Sequence, residues 1–208
     1  MSSLQQKWAQ AKQKRVDEFH HLKTLLRSGD LTGLIAHLDT CSKKLTTYYL
    51  EEAYFLACED APSEITEWLR ARVEVESTVY QAALREHIQS LKHISEHASP
   101  SISRRGLHFA VQSGFAEGVR HLLGLVEVNV DEPDLLATAS YQQNDEVFEL
   151  VFSLYPLKMA EELLARRQNA DYETQMWARL KHRVENEHFK RRLRDTTAGC
   201  GRTKGRKL

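Results

Sequence analysis

His93 and His97 stand four residues apart in the stretch HIQSLKHISEH, with His87 at its start. On a helix His93 and His97 share one face. Two histidines at that spacing are part of a zinc site only if a third or fourth ligand of suitable geometry joins them. Glu86 and Glu96 lie nearby, but no H-E-x-x-H motif is present, and the pattern fits a solvated helix face better than a metal site. ENEH, from Glu185 to His188, has the E-x-x-H spacing of carboxylate-bridged metal bundles. Such a centre needs two copies of that motif and two further Glu, and the sequence holds one.

Cys58 sits in YFLACEDA, an apolar setting that fits inert packing rather than nucleophilic chemistry. Cys200 lies among cations, which hold a thiol pKa down, so it reads as the more reactive of the two without being catalytic. A phosphate-binding glycine loop, a G-x-S-x-G elbow and an interpretable carboxylate pair are all missing. No catalytic, cofactor-binding or metal-ligating residue is assigned, and a non-enzymatic chain without a cofactor is expected.

The elements that carry these residues are read from composition and period. The 208 residues are 41% hydrophobic and 28% charged, enough for one core or a stack of small units. Only 4 Pro and 9 Gly argue against a disordered chain or one rich in tight turns. Three cysteines, Cys41, Cys58 and Cys200, fit neither a disulfide framework nor a zinc site, and imply reduced thiols in a cytosol-like compartment. The opening MSSLQQKWAQAKQKR has no apolar core of a secretory signal. No apolar run approaches the roughly 20 residues of a membrane span.

RRGLHFAVQSGFAEGVRHLLGLVEVN, from Arg104 to Asn129, reads as two helices. Leu107, Ala110 and Val111 share one face of the first, over about 105–112, and Ser113-Gly114 ends it. Val119, Leu122 and Leu123 share a face of the second, over about 116–125. SGDLTGLIAHL, from Ser28 to Leu38, matches SGFAEGVRHLL, from Ser113 to Leu123, without a gap. The same plan recurs with Ala57 before Ile65, Trp68 and Leu69; with Ala83 before Leu91 and Ile94; and with Leu135 and Ala139 before Val147, Leu150 and Val151. The alanines at 57, 83, 110 and 139 are 26, 27 and 29 residues apart, the mark of a helical repeat.

This stretch resembles an ankyrin repeat. Leu107, His108, Ala110, Gly114, Glu117, Val119, Leu122, Leu123 and Asn129 match that family's pattern, while Arg105-Gly106 replaces its Thr-Pro. The resemblance covers roughly residues 20–155, and its short period implies clipped β-turn fingers. It implies that His108 packs within its repeat and bonds backbone. It further implies an adaptor, inhibitor or effector that binds a protein.

The expected fold is therefore an all-α solenoid of stacked, ankyrin-like helix pairs with a helical C-terminal cap and a basic tail. Residues 1–20 are read as a polar leading helix with Trp8 and Phe19 as packing points, and 21–156 as the repeats. Residues 157–195 are read as capping helices with Asp171 as an N-cap and Met176, Trp177, Leu180 and Val184 as an apolar stripe. Residues 196–208 are read as a disordered tail. Lys+Arg and Asp+Glu balance at 29 each, yet Lys190, Arg191, Arg192, Arg194, Arg202, Lys204, Arg206 and Lys207 cluster at the end against Asp195 alone. The remainder is thus net acidic, with Glu51, Glu52, Glu59, Asp60, Glu64, Glu67, Glu74 and Glu76 close together. The first six are the expected partner-binding residues, and they favour a basic protein. The eight terminal cations are the expected contact to nucleic acid or another acidic surface, although no aromatic follows Phe189 for base stacking. A cytoplasmic location is expected, or a nuclear one in a eukaryotic or host-directed setting, with no membrane partner.

Overall fold

The computed structural model describes residues 3–40, 43–167 and 175–201. Every regular element among them is an α-helix, and VEVNV is loop rather than strand. The helices are α1 (Ser3–Ser28), α2 (Leu31–Thr40), α3 (Lys43–Asp60), α4 (Ser63–Arg70), α5 (Val75–Leu84), α6 (Ile88–Ser95), α7 (Pro100–Ser113), α8 (Ala116–Leu123), α9 (Asp134–Tyr141), α10 (Asp145–Phe152), α11 (Leu157–Arg167) and α12 (Gln175–Gly201). The polar leading segment and the first repeat helix are one continuous element, α1. Asp171, Cys41 and the side chains of Met176 and Cys200 lie outside what is described.

Residues Met1–Gly106 and Leu107–Leu208 form two compact units, with the division inside α7. In the first unit α1 packs on α2 and α3, α3 packs on α4 and α6, and α5 packs on α6. Its core includes Leu22, Leu34, Tyr54, Ile65, Leu69, Leu91 and Ile94, all fully buried. In the second unit α8 packs on α10, α9 packs on α10 and α12, and α11 packs on α12. Leu107, Ala110, Val111, Val119, Leu122, Leu136, Phe148 and Leu180 fill that core. The apolar positions assigned from the helical period are therefore buried in both units, except that Trp68, Leu123 and Leu150 are only half-buried. In the cap, Leu180 and Val184 are buried, and Trp177 meets Tyr141 edge-on with ring centroids 5.9 Å apart.

One turn recurs in three of the helix pairs. Gly29 has φ +72° and Gly114 has φ +79°, and Glu86 is the non-glycine residue at φ +57° among the described residues. The N–H of each bonds back to the carbonyl three residues earlier: Gly29 to Leu26, Glu86 to Ala83 and Gly114 to Val111. The next residue's N–H reaches five back: Asp30 to Leu25, His87 to Ala82 and Phe115 to Ala110. A left-handed residue closing a helix in this way satisfies carbonyls that the helix leaves open. The hydrogen bonds also set the register. The equivalent of Ala110 is Ala82, one residue before the Ala83 that spacing alone selects, and both are fully buried.

Helix boundaries depart from the sequence reading where a cap extends them. α7 begins at Pro100, five residues before Arg105, because Ser99 Oγ accepts from Ile102 N at 3.4 Å and Pro100 occupies the first helical position. α12 runs through Gly201, past residue 196 where the tail was expected to begin. Adding residues to an existing helix needs no new nucleus. Residues 202–208 lie outside the described residues.

Candidate functional site

The densest group of reactive side chains lies between α3, α4 and α6. Tyr54 and Cys58 are one turn apart on α3, Glu67 is on α4, Ser90 and His93 are on α6, and His97 lies in the turn that follows α6. Of these, Cys58 and His93 line an open depression of about 340 Å3, with Ala57, Thr66, Lys92 and Glu96 among its other walls. The Tyr54 hydroxyl is 2.8 Å from His93 Nδ1, and His93 Nε2 is 3.2 Å from Glu67 Oε1. A carboxylate only accepts, so Nε2 carries the ring proton and Nδ1 accepts from Tyr54. The Cys58 thiol lies beside the Tyr54 hydroxyl and interacts with it.

Burial pushes the Cys58 thiol up, outweighing its interactions with Ser90 and Tyr54, which act the other way. Burial first, and then the neighbouring thiol, pushes the Tyr54 hydroxyl well above its usual range. Both groups therefore stay protonated at neutral pH, and a protonated thiol is a poor nucleophile. A hydrogen bond from Arg70 is the largest influence on Glu67, and its carboxyl is held below the ordinary value. Ser90 Oγ is buried without a well-formed hydrogen bond and has the soft Cys58 thiol as its neighbour. The arrangement can hold protons in fixed places and tie three helices together. A general acid or base at neutral pH needs a pKa brought toward 7, and these shifts run the other way.

His87 has a different place from the one its spacing implied. It follows the left-handed Glu86 and caps α6, with Nδ1 accepting from Ser90 N at 3.3 Å. Asp30 holds the same position before α2, where its Oδ1 accepts from Gly33 N at 2.8 Å. Nε2 of His87 reaches Glu59 at 3.0 Å. His87 and His93 are therefore held between helices rather than set on a solvated face. His97 is exposed and meets His93 edge-on with ring centroids 5.9 Å apart. His188 of ENEH pairs with Glu161 of α11 at 2.8 Å. Among the described residues no three His, Cys, Asp or Glu side chains converge as a metal-ligand set. His108 is half-buried on α7.

The acidic residues expected to meet a partner are mostly occupied within the chain. Glu51 accepts from Ser77 at 2.8 Å, Glu52 pairs with Arg85, and Glu59 with His87. Asp60 pairs with Arg27 at 3.6 Å, and Glu67 with Arg70 and His93. Glu64 is exposed on the first turn of α4. Glu76 is likewise held, by Arg105. In the second unit Arg120 meets Glu146, Arg179 meets Asp145 at 2.8 Å, and Arg183 meets Glu149 at 2.9 Å. The pairs that join different helices link residues 26 to 34 positions apart. The 28 residues from Glu59 to His87, 26 from Glu67 to His93 and 34 from Glu149 to Arg183 are typical. Opposite charges at these separations were present in the sequence, and a search for acid–base pairs over that range finds them.

Of the terminal cations, Lys190, Arg191, Arg192 and Arg194 are exposed on α12, beyond Val184, the last buried residue among those described. Lys190 reaches Glu187 at 3.0 Å. Arg202, Lys204, Arg206 and Lys207 lie outside the described residues. No helix among the described residues is long and apolar enough to cross a membrane. No protein-family model, curated protein or solved structure matches this chain.

Proposed function

We propose that the chain is a non-catalytic protein-interaction module, an adaptor, inhibitor or effector, in which helix pairs stack in an ankyrin-like manner within each unit. The observation that carries this reading is the recurrence of one left-handed turn, at Gly29, Glu86 and Gly114. Salt bridges between residues about one repeat apart support it. Exposed ion pairs add little stability singly, but a series at the repeat distance fixes how one pair sits on the next. Stacked pairs present continuous surface on which side chains can vary without disturbing the core, and this suits recognition rather than catalysis. A cytoplasmic location fits the half-buried, reduced Cys58. The test is a co-purification with the full chain and with the chain cut after Asp195. A partner retained by both forms supports the module. A partner lost on truncation moves the function to the basic end.

The second reading is nucleic-acid contact through the basic end. It is favoured by the exposure of Lys190, Arg191, Arg192 and Arg194 on a part of α12 that carries no buried residue. Binding of this kind is independent of sequence and weakens steeply with salt. Titration of a random-sequence DNA duplex at two ionic strengths, with the full and truncated chains, tests it. Equal binding by both forms counts against the tail.

A further inference from the structure

The apolar face of α1 outruns the body that it packs on. Leu22, Leu25 and Leu26 are buried, whereas Val16 is 42% exposed and Trp8 73% exposed. Two ties fix the alignment of α1 with α3. Tyr49 donates to Glu18 at 3.0 Å across 31 positions, and Arg27 pairs with Asp60 across 33. The helices therefore run parallel with an offset of about 32 residues, and Lys43, where α3 begins, falls opposite residue 11 or so. The first two turns of α1 extend past that point. An open cleft of about 890 Å3 runs from this overhang along α1 as far as Phe19, with Trp8, Val16, Phe19 and Tyr49 supplying its apolar floor. Its volume is within the range of ligand clefts, about 300–1,000 Å3.

The charge in this cleft decides its occupant. Trp8, Lys12, Arg15 and Phe19 follow at i, i+4, i+7 and i+11, so two cations lie between two aromatic residues on one stripe. Lys12 and Arg15 are exposed and in no ion pair with a described residue. The carboxylate at the margin, Glu52, is already held by Arg85. The sequence pointed to a basic partner because residues 51–76 are acidic, but those acids are largely engaged within the chain. The charge left open beside apolar surface is positive.

We infer that this cleft docks an amphipathic helix from a protein partner, presenting two apolar anchors one turn apart with Asp or Glu beside them. A helix lying along a groove is read through anchors at that spacing, and an exposed Trp is the residue type most often found to dominate such contacts. The carboxylates meet Lys12 and Arg15, whose stems also cover apolar surface. A second copy of this chain is a poorer fit, since a two-fold pairing of this face sets Lys12 and Arg15 of one copy against those of the other. The inference rests on the interaction-module reading and specifies the partner's chemistry.

The test is a display selection of random 16-residue peptides on the full chain, followed by binding of the synthetic winners. The Trp8 indole resonance reports occupancy. Winners should be acidic with paired apolar anchors and should shift that resonance. Trp8→Ala, an exposed site whose fold can be checked by circular dichroism, should weaken them about tenfold or more. Lys12→Glu with Arg15→Glu should weaken them similarly and favour versions with Lys in place of the acids. Neutral or basic winners, no winners, or a self-association that Trp8→Ala abolishes would each overturn the inference. So would winners indifferent to Trp8→Ala, although these leave the module reading standing, because they bind the chain elsewhere.

Discussion

The Tyr54 hydroxyl sits 2.8 Å from Nδ1 of His93, 39 residues later in the chain. Tyr54 is fully buried, and its hydroxyl also serves the Cys58 thiol. Tyr54→Phe removes one oxygen and leaves two groups without their partner, so the loss exceeds that of a solvated hydrogen bond. The expected cost is about 1–3 kcal/mol in urea unfolding. A variant as stable as the parent would mean that water reaches the site and replaces the hydroxyl.

The left-handed turns give paired expectations of opposite sign. Glu86 holds φ +57° with a side chain, so Glu86→Gly should stabilise by about 1 kcal/mol. Gly114→Ala should destabilise by about the same amount, since a Cβ there meets Asn144 Cβ at an ordinary 3.5 Å. Gly29→Ala should cost more, because its Cβ would lie 3.3 Å from Pro62 Cγ, which is fixed in its ring. Chemical denaturation of the three variants ranks them. A destabilising Glu86→Gly would show that its side chain contributes more than its backbone strain costs.

How much of this was legible follows from the range of each interaction. Gly29 and Gly114 were found by matching SGDLTGLIAHL to SGFAEGVRHLL, because a turn is local and leaves a local mark. Glu86 in the third turn escaped, since the position tolerates a side chain at a cost. Ala83 was taken for Ala82 because two consecutive alanines satisfy the same spacing and only the hydrogen bonds choose between them. His87 was weighed as a ligand and caps a helix, a role that Asp or Asn signals more plainly. The acids of residues 51–76 read as free surface because their cations lie a repeat away. The pairing of Tyr54 with His93 gave no signal, as nothing near either residue in sequence requires the other.

Asn144 joins two loops. Its Oδ1 accepts from Glu146 N at 3.0 Å and Val147 N at 3.3 Å, capping α10, and its Nδ2 donates to Gly114 O at 2.7 Å. Asn144→Asp keeps the cap and loses the donor. Asn144→Ala loses both, and should cost about 1–2 kcal/mol for the cap alone. Thermal melts should therefore order the parent above Asp and Asp above Ala. An Asp variant equal to the parent would show that the bond to Gly114 contributes nothing to stability.

Acid should loosen the packing of α12 through Glu187. A hydrogen bond from Arg183, and then one from Lys190, holds its carboxyl at about 2, below the ordinary 4.5. Arg183 also grips Glu149 of α10 and lies over the Phe152 ring at 4.8 Å, so the charge on Glu187 helps to hold the residue that joins α12 to α10. A carboxyl whose folded pKa is depressed stabilises the fold fully above its unfolded value and loses that contribution as pH falls through the folded value. Glu187 should therefore contribute in full above about pH 4.5 and progressively less toward pH 2. Glu187→Gln removes the titrating group. The parent should melt above the variant at pH 6, and the gap should close as the pH falls toward 2. High salt should narrow the gap at pH 6, since about a quarter of the side chain is exposed to solvent. A gap that is constant from pH 6 to pH 2 would mean that Arg183 holds α12 through Glu149 and Phe152 without help from Glu187.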